Sequence, residues 1–417
     1  MTSMQKNNIF NLYQAVLAIF FIAMKKLTFF AGFFFCSSAM SHATPALIID
    51  DSFSGENIGS YSQFIIEQDA DIDLNDLVRS TFKPSSHFTW QPTKNFVIAS
   101  LKARTVWIRF DIKNTSNSDQ RMFVESQYPN TKILDAYITQ QGEILQYYQL
   151  GTTLPFAQRP VNHRFLITPV TVKAQQTITM IFRVSEAASH FFLQSRLEPE
   201  KNFAFTSNSM PFITGLSTGI ILLFALLSLV VWTGIRESSY LFYTFTSIAI
   251  IMIELCTQGY AYEFLVPNFP WLSARLFSIS IFGLAVSQAL FANSFLKLKK
   301  HSRPTYYMNS TIAVISSLTI LLSLILNLKF NNAVFNIIAP LAIPVLLVNF
   351  IVSGFMWKNG NTAGKDYFLA WGTYSSMLGV FLIFGFVGIK QSDNSSHIIS
   401  GAYIIVASVI FISLFNR

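Results

Sequence analysis

The chain has 417 residues, of which 52% are hydrophobic, 15% aromatic and only 12% charged, with a mean hydropathy of +0.43. Soluble domains carry about 25% charged residues, so one water-soluble globule is excluded, and 42 Phe against 21 Asp+Glu equally exclude a long disordered or acidic chain. The net charge of +8 is uneven: residues 44–210 hold 16 acidic and 15 basic side chains, whereas residues 211–417 hold 5 and 11. The positive excess belongs to the presequence and to loops of a membrane half. No basic stripe interleaved with aromatics accompanies it, and no nucleic-acid partner is expected.

Residues 1–43 read as a secretory signal whose true start is either Met1 or Met24. Met24-Lys25-Lys26 is a charged lead, Leu27 to Phe35 an apolar stretch, and Ser41-His42-Ala43 a small-x-small cleavage site. The rival reading, an uncleaved anchor over Ile9 to Phe35, is interrupted by the Lys pair, and neither part reaches the ~20 apolar residues a span needs. Cleavage would leave Cys256 as the sole cysteine, so an apolar core and not a disulfide has to hold the exported domain.

Residues 44–210 read as that domain, built of strands. Val106, Ile108, Phe110 and Ile112 alternate strictly with Trp107, Arg109, Asp111 and Lys113, which assigns the first set to a core and the second to an outward face. Thr177 to Val184 repeats the pattern, burying Ile178, Met180, Phe182 and Val184 and turning Arg183 outward. Phe123–Ser126, Ile133–Thr139, Glu143–Leu150 and Arg164–Leu166 are further strands, separated by turn signals such as Gln141-Gly142. Many short alternating strands at this spacing predict a β-sandwich. The run from Asp69 to Ser80 opens like a calcium loop but has Leu74 where Gly is needed and Ser80 where a closing Glu is needed, so a helix capped by Asp73 with Leu74, Leu77 and Val78 on one face is preferred.

Residues 211–417 hold seven apolar segments: Phe212–Trp232, Tyr240–Tyr260, Leu272–Phe295, Met308–Asn327, Phe335–Trp357, Tyr367–Ile389 and Ile398–Phe415. Each is long enough to cross ~30 Å of hydrocarbon as a helix. With the exported domain outside, eight Lys/Arg fall inside and three outside, so the mature amino terminus is expected on the outer side and the carboxyl terminus in the cytoplasm. Glu254 is the one carboxylate well inside a span, suited either to sensing protons or to an interhelical hydrogen bond. Pro340 and Pro344 are expected to bend the fifth span, and Gly372, Ser376 and Gly379 to allow close packing in the sixth. There is no G-x-S-x-G, H-E-x-x-H, P-loop or paired-His pattern, so no enzyme, cofactor or metal site is expected, and the seventh span lacks the Lys a retinal protein needs.

These features together resemble the 7TMR-DISM family, bacterial seven-transmembrane receptors with diverse intracellular signalling modules, in the branch with an extracellular domain of the second type. The resemblance rests on Val106 to Phe110 followed by Asn114, Ile133 to Tyr137, Gly151 and Pro155 leading to Arg159, and Phe182-Arg183-Val184. In the membrane half it rests on Gln258-Gly259-Tyr260 with Pro267 and Trp271, on Phe291-Ala292 and Phe295-Leu296, and on Ala363 to Trp371. It implies a jelly-roll-like sandwich, similar to carbohydrate-binding modules, that passes a signal through a seven-helix bundle in an inner membrane. Such proteins typically continue into an output domain, whereas this sequence stops at Asn416-Arg417, so a separate cytoplasmic signalling protein is expected, docking on Lys297, Lys299, Lys300 and Arg303; a regulator or remnant of a longer relative is the other reading. The ligand, a sugar or carboxylate, is expected at Trp107, Arg109, Arg183 and Tyr128, by stacking and charge-assisted bonds. The competing reading has Trp107 packed under a loop and Arg109 paired within the sheet. A non-signalling envelope protein that binds another protein or wall polymer, and a transporter built on Glu254, are the alternative functions, and homo-oligomers are left open.

Overall fold

The computed structural model describes residues 44–67, 72–82, 88–93, 97–98, 105–185, 192–193, 195–328, 334–335, 338, 342–373 and 395–415. The presequence, the start of the would-be calcium loop, Pro340, Ser376 and Gly379 lie outside the described residues.

The exported domain is a two-sheet sandwich. Its strands are β1 (Leu47–Ile49), β2 (Glu56–Asn57), β3 (Gln63–Glu67), β4 (Gln91–Pro92), β5 (Val97–Ile98), β6 (Thr105–Asn114), β7 (Gln120–Ser126), β8 (Ile133–Gln140), β9 (Glu143–Leu150), β10 (Leu166–Val172), β11 (Thr177–Ser185), β12 (Phe192–Leu193) and β13 (Ser195–Pro199). The larger sheet runs β4-β3-β6-β11-β8-β9 with β1 parallel to the far end of β6, and the smaller runs β10-β7-β13-β2. The alternation foreseen in β6 and β11 holds: Val106, Ile108, Phe110 and Ile112 join Ile178, Met180, Phe182 and Val184 in the core between the sheets, facing Met122, Val124, Leu166, Val170 and Leu197. Strand β10 runs on past the expected Leu166 to Val172 and contains Pro169, which costs no ladder bond to a further strand because β10 is at the sheet edge. Asn114 ties the fold together, its amide donating to the carbonyls of Ser118, Val172 and Lys173 while its Oδ1 accepts from the Ser116 amide.

The helix α1 (Leu74–Phe82) forms as expected, Asp73 Oδ1 accepting from the Asp76 amide at 3.0 Å, with Leu77 and Val78 buried. It lies over the outer face of the larger sheet, where Leu77 and Val78 pack with Trp90, Trp107, Tyr137 and Ile181 in a second core. The outward face read from the β6 alternation is thus covered around Trp107.

β13 runs directly into α2 (Glu200–Ile235), a 36-residue helix that starts well before its apolar part because Glu200–Met210 is polar but helix-compatible. Then follow α3 (Ser238–Thr257), α4 (Pro270–Phe295), α5 (Arg303–Ile325), α6 (Ala342–Lys358), α7 (residues 362–373) and α8 (Ser395–Phe415). Among the described residues four helices are long and apolar enough to cross a membrane, beginning at Thr214, Ser238, Pro270 and Arg303. Leu216, Leu222, Leu223, Leu226 and Val230 of α2 are exposed, as lipid-facing residues should be. Pro344 lies two positions after the first described residue of α6, and the turn before it, where the expected bend would fall, is outside the described residues. α6 and α7 pack closely: a Cβ on Gly364 would meet the Met356 Cβ at 2.6 Å, one on Gly372 the Phe350 ring at 3.0 Å, and Phe350 and Phe368 stack 4.2 Å apart.

Candidate functional site

Two rows of side chains cross the outer face of the larger sheet in register. One runs Gln63, Arg109, Ile181, Tyr137, Tyr147, and the other Ile65, Trp107, Arg183, Asp135, Gln149. The expectation that Trp107 projects into solvent is corrected: it is 2% exposed, lies in the second core, and its indole N–H donates to Glu67 Oε2 at 2.9 Å. Covering by α1 and the Trp90 segment is the reason. Arg109 is half-buried, donating to Gln63 Oε1 at 2.8 Å with its guanidinium 4.7 Å from the Trp90 ring centroid, and burial lowers its pKa. Arg183 stays more open, its side chain 39% exposed, pairing with Asp135 at 3.5 Å and lying 5.5 Å from the Trp107 ring centroid. The sheet therefore joins Trp107 to Arg183 but places Tyr128 elsewhere, half-buried against the sandwich core with burial pushing its hydroxyl up to about 12.

Beyond the edge of α1 this face is open. Tyr147 is 48% exposed, stacks on Tyr137 at 5.0 Å and donates to Asp135 Oδ1 at 2.8 Å. Burial first and Asp135 second hold its hydroxyl above the ordinary tyrosine range, so it is a neutral donor at any physiological pH. Tyr147 and Asp135 were not singled out from the sequence; the available signal was their place on the Arg183 side of strands whose registers only the sheet reveals.

On the opposite side the sandwich meets the outer turn between α3 and α4, where several residues quoted for the family resemblance converge. Gly259 has φ +83° and a Cβ there would stand 2.4 Å from the Arg164 carbonyl oxygen, so only glycine fits in the left-handed conformation this close to a backbone. Arg164 Nη1 donates to the Tyr260 hydroxyl at 2.6 Å and its guanidinium stacks 4.9 Å from that ring. The buried Lys132 donates to the Ala274 carbonyl at 2.6 Å, Tyr262 donates to Asn130, and the Phe156 amide donates to the Pro267 carbonyl at 3.0 Å. Arg159 gathers the carbonyls of His163 and Arg164, and burial draws it down to about 10 against the pull of Glu263. His163 is driven down to about 4 by burial and then by Arg164 and Arg159, and is neutral near pH 7. Glu125 of β7 and Glu198 of β13 complete the seam, both buried.

Within the bundle Glu254 holds α3 to α2, accepting from Ser217 Oγ at 3.0 Å, the interhelical bond foreseen as one of its two roles. Asn309 and Asn349 exchange amide hydrogen bonds of 3.0 and 3.2 Å, with Asn309 also donating to Asn293, which joins α4, α5 and α6. Arg275 closes the far end of α5 by donating to the carbonyls of Ser323 and Leu326. At the other end Lys297, Lys299, Lys300 and Arg303 are all exposed around the fully buried Leu298, so the α4–α5 turn is anchored while its cations face outward.

Comparison with curated proteins finds no match. The family model for 7TMR-DISM extracellular 2 matches residues 59–195, and that for 7TM diverse intracellular signalling matches residues 211–416. The two models meet the chain on either side of the seam, in the order sandwich then bundle, and between them take in most of it. The chain therefore belongs to the 7TMR-DISM family of membrane receptors, with an extracellular sensor domain preceding its transmembrane region.

Proposed function

We propose that the protein is a bacterial inner-membrane receptor whose sandwich takes a small extracytoplasmic ligand on the open part of its outer sheet face and whose seven helices relay the event to a separate cytoplasmic protein. The observation that carries the reading is the Tyr147–Asp135–Arg183 cluster: an exposed ring edge beside a guanidinium already balanced by a carboxylate. A balanced pair offers donors and acceptors without net charge, and a tyrosine face offers stacking, which favours a neutral polyhydroxyl such as a sugar over a carboxylate. Trp107 and Arg109 then support the floor of the site and do not touch the ligand. The mature amino terminus is outside and the carboxyl terminus inside, in keeping with the exposed Lys297, Lys299, Lys300 and Arg303, which form the docking turn for an acidic cytoplasmic partner.

Calorimetry of the full chain in nanodiscs against neutral wall oligosaccharides and simple carboxylates tests this. Saturable binding of the former, weakened roughly tenfold or more by Tyr147→Ala and Arg183→Ala, is expected, since removing a stacking ring costs about 1–3 kcal/mol. Carboxylate binding in preference to sugars, or sugar binding indifferent to both changes, would refute the assignment.

A further inference from the structure

The seam between sandwich and bundle gathers Arg159, Arg164 and Arg196 with Glu125, Glu198 and Glu263; Arg164, Glu125 and Glu198 are buried, the other three are half-buried, and none belongs to the ligand face. Glu125 is 8% exposed on the outer face of β7. Two residues earlier on that face, Phe123 packs edge-on against Phe203 of α2 at 5.0 Å, so α2 covers this side of the small sheet. Across β13 the partner of Glu125 is Arg196, which pairs with Glu198 at 2.7 Å; across β10 it is the buried Ile167. Gln127, just past the end of β7, lies within hydrogen-bonding reach, and Arg164, two positions before β10, faces Glu125 on one side and Tyr260 and Glu263 of the α3–α4 turn on the other. Arg159 and His163 complete the charged and titratable surroundings.

Two buried carboxylates thus lie beside two arginines that already have partners: Arg196 pairs with Glu198, and Arg164 donates to Tyr260 of the bundle, which leaves Glu125 the less compensated of the two. Such a pair resists holding both charges, and a proton is the smallest ligand that relieves it. We infer that Glu125 is a proton-binding site at the joint, whose occupancy favours the docked arrangement of Arg164 on the Gly259–Tyr260 turn, so that acidification of the extracytoplasmic side tightens the sandwich onto the bundle and alkalinity loosens it. Burial and the neighbouring Glu198 raise Glu125 to about 7, outweighing the lowering by Gln127, Arg164 and Arg196, which places the transition in a range an envelope experiences. The sign follows from linkage: a carboxylate raised in the docked state stabilises that state below its ordinary value of 4.5 and loses the effect as pH rises through about 7. His163, held near 4, acts with the opposite sign, favouring the docked state as pH rises, and cannot be the source.

Hydrogen exchange of residues 258–267 in the full chain in nanodiscs, corrected for intrinsic rates, reads the joint directly. Between pH 6 and 8 a group of this kind changes the opening equilibrium by about tenfold, so protection should fall by that factor as pH rises, with a midpoint near 7. Glu125→Gln, which mimics the protonated form, should remain protected across the range. Protection independent of pH in the unaltered chain, or a pH response that survives Glu125→Gln, would overturn the inference. Glu198→Gln gives a second reading should the first variant fold poorly: removing the repelling carboxylate moves the midpoint to lower pH, and an unmoved midpoint overturns the inference as well.

Discussion

Gly259→Ala isolates the closest approach between the two parts of the molecule. The new Cβ would stand 2.4 Å from the Arg164 oxygen and 2.9 Å from its carbonyl carbon, where ordinary carbon–oxygen contacts begin near ~3.3 Å, so the turn has to retreat by about 0.9 Å. Forcing an alanine to φ +83° adds about 1–2 kcal/mol. A retreat of that size stretches the 2.6 Å bond from Arg164 to Tyr260 beyond useful length, and a hydrogen bond to a charged group contributes about 1.5–3 kcal/mol. The expected loss is about 2.5–5 kcal/mol of docking stability, read as a lowered melting temperature of the full chain in nanodiscs together with faster exchange of residues 258–267. Gly283→Ala is the control, since nothing lies within 4 Å of its would-be Cβ and helix propensity alone favours alanine by ~1 kcal/mol. Equal melting of the two variants would refute the close-approach argument.

Trp107→Ala should destabilise the sandwich by about 3–5 kcal/mol and also leave Glu67 short of a donor, measurable by thermal unfolding; a near-neutral result would mean that α1 does not pack on the sheet. Asn309→Leu should cost about 1–2 kcal/mol in bundle stability because Asn349 loses both of its reciprocal bonds within lipid, and the double change with Asn349→Leu should cost less than twice that. His163 acts with the opposite pH sign to Glu125: its folded value of about 4 lies under the ordinary 6.5, so stability falls as pH drops from 6.5 toward 4, and His163→Phe should flatten that limb of a melting-against-pH curve. Lys299→Glu with Lys300→Glu should leave melting within ~0.5 kcal/mol of the original, both side chains being exposed, while abolishing capture of an acidic cytoplasmic partner by pull-down.

Much of the sandwich was legible in the chain because β6 and β11 alternate strictly and bury the residues that alternation names. Alternation separates two faces but does not say what covers each one. Trp107 read as an outward residue because its cover, α1 and Trp90, arrives from distant sequence. The alternation of β11 turned Arg183 outward, yet its partner Asp135 and the neighbouring Tyr147 depend on the order of β11, β8 and β9, which local pattern does not encode. The Gln258-Gly259-Tyr260 motif was visible as a motif; its meeting with Arg164, almost a hundred positions earlier, was not. Nothing in the sequence singles out Glu125 or Glu198; both are buried in a small sheet on which α2 packs through Phe203 against Phe123. Hydropathy marked the start of the apolar stretch at Phe212, close to the Thr214 where the apolar part of α2 begins, but not where the helix begins at Glu200.

That unbroken helix has a mechanical consequence. Thirty-six residues at ~1.5 Å each make a rod of about 54 Å, longer than the bilayer core it crosses, with β13 joined to it through Pro199 and no slack between. A rocking of the sandwich by only 5° would sweep the far end of such a rod by about 5 Å, close to one helical turn. Its phase matters as much as its length. One residue inserted between positions 204 and 211 would swivel the sandwich by about 100° relative to the lipid-facing leucines and pull Arg164 away from Tyr260, whereas seven would nearly restore the heading at a greater height.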